Sequence, residues 1–152
     1  MMIRNGVWFL IAVACGSFMG CSSSTLEGKV TEFINETGQS FESCGSITVD
    51  PMCESPQSAA ADCLANGFSE CKPVRLDLTI YTIEGDPIYY TYLVVPGNGS
   101  CSIEYFVDTR EDAFGPQEIN QFTCEKLELV ESCQSIAVDE CIPQCEGGAD
   151  CG

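Results

Sequence analysis

The chain predicts a disulfide-rich α+β domain, an antiparallel β-meander with one helix packed on a face. Three observations carry this. Val74 to Val95 reads as two strands around a turn, Pro56 to Ala65 carries helical spacing, and ten cysteines run from Cys44 to Cys151. A length of 152 residues implies one domain with one modest core.

Val74–Ile83 and Ile88–Val95 are rich in β-branched and aromatic residues, which suit a pleated, half-buried surface. Glu84-Gly85-Asp86-Pro87 separates them as a turn. In the first strand Leu76, Leu78 and Ile80 share one face, with Arg75, Asp77 and Thr79 opposite. The second strand is apolar on both faces, so it belongs in the middle of the sheet with cover on both sides. Pro96–Ser100 is a strong turn signal, and alternation over Cys101–Val107 gives a third strand. Asp108–Pro116 is a polar turn. Gln121–Val130 is a fourth strand, with a bulge expected between Cys124 and Leu127, where the apolar parity changes. The tyrosines 81, 89, 90, 92 and 105 lie on these strands and are expected as core or cross-strand pairs.

Ser55-Pro56 is a cap followed by a favoured first helical residue. Ala60, Cys63, Leu64, Gly67 and Phe68 then fall on one helical face, and Asn66-Gly67 is expected to stop the helix. Glu42–Asp50 returns almost word for word as Glu131–Asp139, with seven of nine positions identical. Two copies do not make a repeat array; they predict two similar strands, expected as neighbours in the sheet. The tail from Cys141 is poor in apolar residues, so disulfides must fix it.

The first 20 residues read as a targeting segment. Arg4 precedes a short apolar run, Val7–Ala14, too short to span a bilayer. Phe18-Met19-Gly20-Cys21 followed by serines resembles the lipobox of bacterial lipoproteins, although Phe18 and Met19 depart from its usual residues. The resemblance implies cleavage before Cys21, lipid attachment with fatty acyl chains such as palmitate at that residue, and sorting to an outer membrane facing periplasm or exterior. Residues 21–40 then read as a polar, lipid-anchored tether with a helical turn or two around Val30, Phe33 and Ile34, and 41–152 as the domain. The sequons at Asn35 and Asn98 carry no weight in such a setting.

Of 12 cysteines, setting aside Cys15 and Cys21 leaves an even ten: Cys44, Cys53, Cys63, Cys71, Cys101, Cys124, Cys133, Cys141, Cys145 and Cys151. In an exported chain these form bridges, with the pairing left open by the sequence. No C-x-x-C motif is present, which argues against redox or zinc chemistry. The absence of histidine removes the histidine-dependent triads, dyads and metal sites. Acidic residues number 23 against 6 Lys plus Arg, so a nucleic-acid partner is not expected. No cofactor or metal is expected.

Thr82-Ile83-Glu84-Gly85-Asp86-Pro87-Ile88, followed by Asp108, Asp112, Phe114 and Gly115 in a D-x-x-x-D-x-F-G turn and then Cys124, resembles an uncharacterised domain of bacterial secreted proteins and lipoproteins. The likeness covers Val74–Val130. It implies the same strand arrangement and no particular activity; the extra cysteines and the tail set this chain apart.

The leading functional expectation is a non-catalytic bacterial envelope lipoprotein, held to the membrane through Cys21 and binding a protein partner or serving a structural role. A second class is a calcium-dependent or small hydrolytic enzyme using Glu84, Asp86, Asp108, Glu111 and Asp112, which a meander would bring to one end of the sheet. A third is an exported inhibitor acting through the Cys-rich tail.

Overall fold

A computed structural model of the chain describes residues 25–50, 59–97, 99–129 and 136–144. Among these lie two helices, α1 (Leu26–Thr37) and α2 (Ala59–Glu70), and six strands: β1 (Glu42–Val49), β2 (Val74–Tyr81), β3 (Pro87–Pro96), β4 (Cys101–Asp108), β5 (Ile119–Leu129) and β6 (Ile136–Gln144). The strands form one sheet in sequence order. Neighbours from β2 to β6 are antiparallel, whereas β1 runs parallel to β2.

The fold is therefore α+β, but the expected meander with a single helix is corrected twice. A parallel pair cannot be joined by a tight turn and needs a crossover; α2 lies within that connection. The second correction is α1. Thr25 caps it by accepting from the Gly28 N–H at 3.0 Å, and Gly38, at φ 64°, closes it through a bond to the Ile34 carbonyl at 3.1 Å. Residues 26–37, read as tether from their polarity, thus make three turns of helix. Val30 of α1 is fully buried with Leu93 and Phe106, flanked by Leu26, Phe33, Ile34, Phe41 and Val95. The Phe33 ring meets Phe106 edge-on at 5.8 Å. Each such large side chain contributes roughly 1.5–3 kcal/mol on burial.

The opposite sheet face carries the larger core, in which Ala61 and Leu64 of α2 pack on Val74, Leu76, Leu78, Tyr92, Val94 and Ile103. This helix touches every strand from β1 to β5. Twelve residues span about 18 Å, close to four strand spacings, so α2 lies across the strands rather than along them. Its described part runs on to Glu70, past the stop expected at Asn66-Gly67. Gly67 is there for close packing: a Cβ at that position would lie 2.3 Å from Val74 Cγ2. The helix ends instead at Cys71, which takes φ 56°, with the Lys72 N–H bonded to the Gly67 carbonyl at 2.9 Å. The residues expected to open the helix, Ser55 and Pro56, lie outside the described residues.

Among the described residues three disulfide pairs are defined: Cys44–Cys63 joins β1 to α2, Cys71–Cys101 joins the end of α2 to the start of β4, and Cys124–Cys141 joins β5 to β6. Each is expected to contribute about 2–4 kcal/mol by restricting the unfolded chain. Cys21, Cys53, Cys133, Cys145 and Cys151 lie outside the described residues, as does the tail beyond Gln144.

The repeated words do not sit side by side. Glu42–Val49 is β1 and Ile136–Asp139 opens β6, at opposite edges of the sheet. Yet they play the same part: Ile47 and Val49 enter the α2-side core from one edge, and Ile136 and Val138 from the other. The bulge expected in β5 between Cys124 and Leu127 is corrected: no extra residue is inserted there. Cys124 faces Cys141 and Lys126 faces Asp139 with unbroken register, while Glu140 takes φ 54°. The apolar parity therefore changes on β5 and β6 together, and both Cys124 and Leu127 reach the same core.

Gly67→Ala gives a direct test of the α2 contact. Alanine is the better helix former by about 1 kcal/mol, but overpacking against the rigid, buried Val74 costs about 1–3 kcal/mol. A net loss of stability is expected, read as a lower midpoint in thermal or urea unfolding.

Candidate functional site

Two loops meet at one end of the sheet, as a run of antiparallel strands requires. The β2–β3 turn, Thr82–Asp86, is closed by the Asp86 N–H to Thr82 Oγ1 at 3.1 Å and the Thr82 N–H to the Asp86 carbonyl at 2.9 Å. Gly85 takes φ 91°, which favours glycine there. The β4–β5 loop, residues 109–118, is closed by the Thr109 N–H to the Glu118 carbonyl at 3.0 Å, and Thr109 Oγ1 donates to the Pro116 carbonyl. One bond ties the loops together: the Ala113 N–H donates to Asp86 Oδ2 at 3.1 Å. The two sequence motifs T-I-E-G-D-P-I and D-x-x-x-D-x-F-G are thus one structural unit.

The acidic residues picked out from the sequence are mostly occupied in building these loops. Asp112 Oδ1 accepts from the Phe114 N–H at 2.9 Å, and its side chain fills the space where a Cβ at Gly115 would fall. Asp108 accepts from the Arg110 N–H at 3.1 Å and from its guanidinium at 2.9 and 2.7 Å. Those bonds hold the Asp108 carboxyl below its usual range against the opposing effect of burial. Glu84 and Glu111 are exposed. Among the described residues no group of three or more Cys, Asp or Glu converges as metal ligands.

What the sequence reading passed over is the apolar content of the same loops. Ile83 is 91% exposed and Phe114 80% exposed. Tyr81, at the end of β2, is also exposed. The available signal was position: a large apolar residue inside a polar turn has no strand or helix to carry it inward.

A second feature lies on the α1 side. A groove of about 270 Å³ is lined by Leu26, Glu27, Arg75, Asp77, Tyr89 and Thr91, among others. Its charges are mutually satisfied. The Arg75 guanidinium donates to Glu27 at 2.6 and 3.2 Å and to Asp77 at 3.0–3.2 Å, and Thr91 Oγ1 donates to Asp77 at 2.7 Å. The Glu27 carboxyl is lowered by Arg75, and the Arg75 guanidinium is held firmly protonated by Glu27. This network clamps the first turn of α1 to β2. On β4, Glu104 is buried at 7% exposure, accepting from Thr123 Oγ1 and from Gln121 Nε2 of β5 at 3.1 Å. Burial pushes its carboxyl up, outweighing those two bonds.

On the α2 side Tyr90, Tyr92, Tyr105 and Phe122 form a stacked row across β3, β4 and β5, with centroid spacings of 6.2, 5.7 and 4.8 Å. The tyrosines at 92 and 105 are a cross-strand pair, as expected. Tyr89 faces the other side, opposite Thr79 and Asp108.

No helix of the described residues is long and apolar enough to cross a membrane. No protein-family model, curated protein or solved structure matches the chain.

Removing the inter-loop bond by Asp86→Ala should speed hydrogen exchange at the Ala113 amide roughly fivefold, the equivalent of about 1 kcal/mol, with little change in global melting. The buried carboxyls should set the pH profile in opposite senses. The lowered Asp108 contributes stability present above its unfolded value and lost as pH falls through its folded one, so Asp108→Asn should weaken the acid limb. The raised Glu104 favours the folded state below its ordinary value and penalises it as pH climbs through the raised one. Glu104→Gln should therefore reduce any loss of melting temperature between about pH 4 and about pH 7.

Proposed function

We propose that the chain is a non-catalytic bacterial envelope lipoprotein, a stapled binding module held at a membrane surface through acylated Cys21. The single observation that carries the reading is the cysteine pairing. Every described cysteine, from Cys44 to Cys141, lies in a disulfide pair, and bridges of this kind persist in oxidising, exported compartments. The lipobox resemblance at Phe18–Cys21 supplies the anchor, and two or more acyl chains on one residue give firm membrane attachment.

A binding role is favoured over a hydrolytic or calcium-dependent one by how three of the five candidate loop carboxylates are used, Glu84 and Glu111 being the exposed two. Asp86, Asp108 and Asp112 each accept hydrogen bonds that close or join loops, and Glu104 is satisfied by two neutral donors. A general acid or base has to present a free carboxyl to substrate within hydrogen-bond reach.

Intact-mass spectrometry on the full chain made with its own signal tests the reading. The expected product begins at Cys21 and carries acyl chains there; it gains roughly 10 Da on reduction if all ten remaining cysteines are bridged. Cys21→Ser is expected to remain unacylated and to leave the membrane fraction. An unlipidated wild-type chain, or one rich in free thiols, would remove the proposal.

A further inference from the structure

We infer that the tip formed by the two tied loops is the binding site of this module, and that its partner is a protein surface with an apolar pocket rimmed by lysine and arginine. The inference rests on the reading of the chain as a binding module and gives that module its site. Two large apolar side chains, Ile83 and Phe114, stand almost fully in solvent at the same end of the sheet. An isolated exposed apolar residue needs no explanation. Here two come from loops 27 residues apart at their contact, and the Asp86 carboxylate bonded to the Ala113 N–H holds those loops together. Closure within each loop is complete without either apolar side chain, through Thr82 and Asp86 in one and Thr109, Asp112 and Glu118 in the other. The scaffold is ordered for something other than itself, and a preformed tip spares a partner the entropy of arranging it.

Charge decides the kind of partner. The loops carry Glu84, Asp86, Glu111, Asp112 and Glu118 against Arg110, whose guanidinium is bonded to Asp108. The whole chain has a net charge of −17. An acidic collar around an apolar pair complements a basic rim around an apolar pocket, steers encounter with it and disfavours other partners. The same collar opposes insertion into an anionic bilayer and docking against the tip of a second copy.

Site-specific photo-crosslinking tests this. p-Benzoylphenylalanine replaces Ile83 or Phe114 in the full chain within the producing cell. For comparison it replaces Glu32, exposed on α1, or Ile142, 63% exposed on β6. The expected result is one protein adduct from 83 and 114, absent from 32 and 142, whose cross-linked segment lines an apolar pocket flanked by Lys or Arg. The isolated partner should bind the wild-type chain with an affinity that falls as salt rises. Ile83→Ser and Phe114→Ser should each weaken binding roughly tenfold or more, with the melting temperature unchanged because both side chains are exposed. Tip adducts to phospholipid or to a second copy, salt-independent binding, or serine variants that bind as well as wild type would overturn the site. Adducts from 32 or 142 alone would also overturn it while leaving the binding-module reading in place; no adduct from any of the four positions would remove both.

Discussion

Burial of β3 on both faces is the constraint on which the other layers depend. Thr91, Tyr92, Leu93 and Val94 are all buried in succession, so the strand cannot lie against water on either side. Leu93 needs α1, and Tyr92 and Val94 belong to the core that α2 covers. A sheet with one helix would leave Leu93 and Phe106 facing solvent. The two helices thus answer one sequence feature, a strand with no polar face, and the sheet grows outwards from it to edges that need less cover.

The edges are finished by related pieces of sequence. Ile47 and Val49 on β1 and Ile136 and Val138 on β6 extend the same core face in opposite directions. Both edges also resist further pairing. A register shift interrupts β1 between Ser43 and Gly45, and β6 carries Pro143, which has no N–H to donate. Disulfides then reinforce the places where the elements meet, joining α2 to β1 and to β4, and β5 to β6. A small core that leaves Tyr90, Tyr105 and Phe122 half-buried gains from such cross-links more than a large one would.

With its interior arranged this way, the domain puts its irregular backbone at the end of the sheet where the β2–β3 and β4–β5 loops meet. Their carboxylates shape the loops, and the apolar side chains of Ile83 and Phe114 are what they present. The groove beside Arg75 is the opposite case: it has charges in abundance, but they hold α1 to β2 and satisfy one another. The acidic residues picked out from the sequence thus lie at the same end of the sheet as these exposed apolar side chains, with most of them shaping the loops.

The sequence by itself determined the strands from β2 to β5, the division of β2 into a Leu76–Leu78 face and an Arg75–Asp77 face, the central place of β3 and the existence of α2. Each is written in a local period, 2 for a strand and 3.6 for a helix, which any stretch of chain carries without its neighbours. Only the tertiary structure decided that β1 runs parallel to β2, that the two repeated words occupy opposite edges, which described cysteines pair, and that a polar-looking segment docks as α1. It also decided that the Asp86 carboxylate accepts from the Ala113 amide of the other loop. Those outcomes depend on contacts between residues far apart in the chain, and local pattern cannot encode them. Gly67 shows the difference most plainly. Its composition reads as a helix stop, but the Val74 side chain pressed against it makes it a packing site.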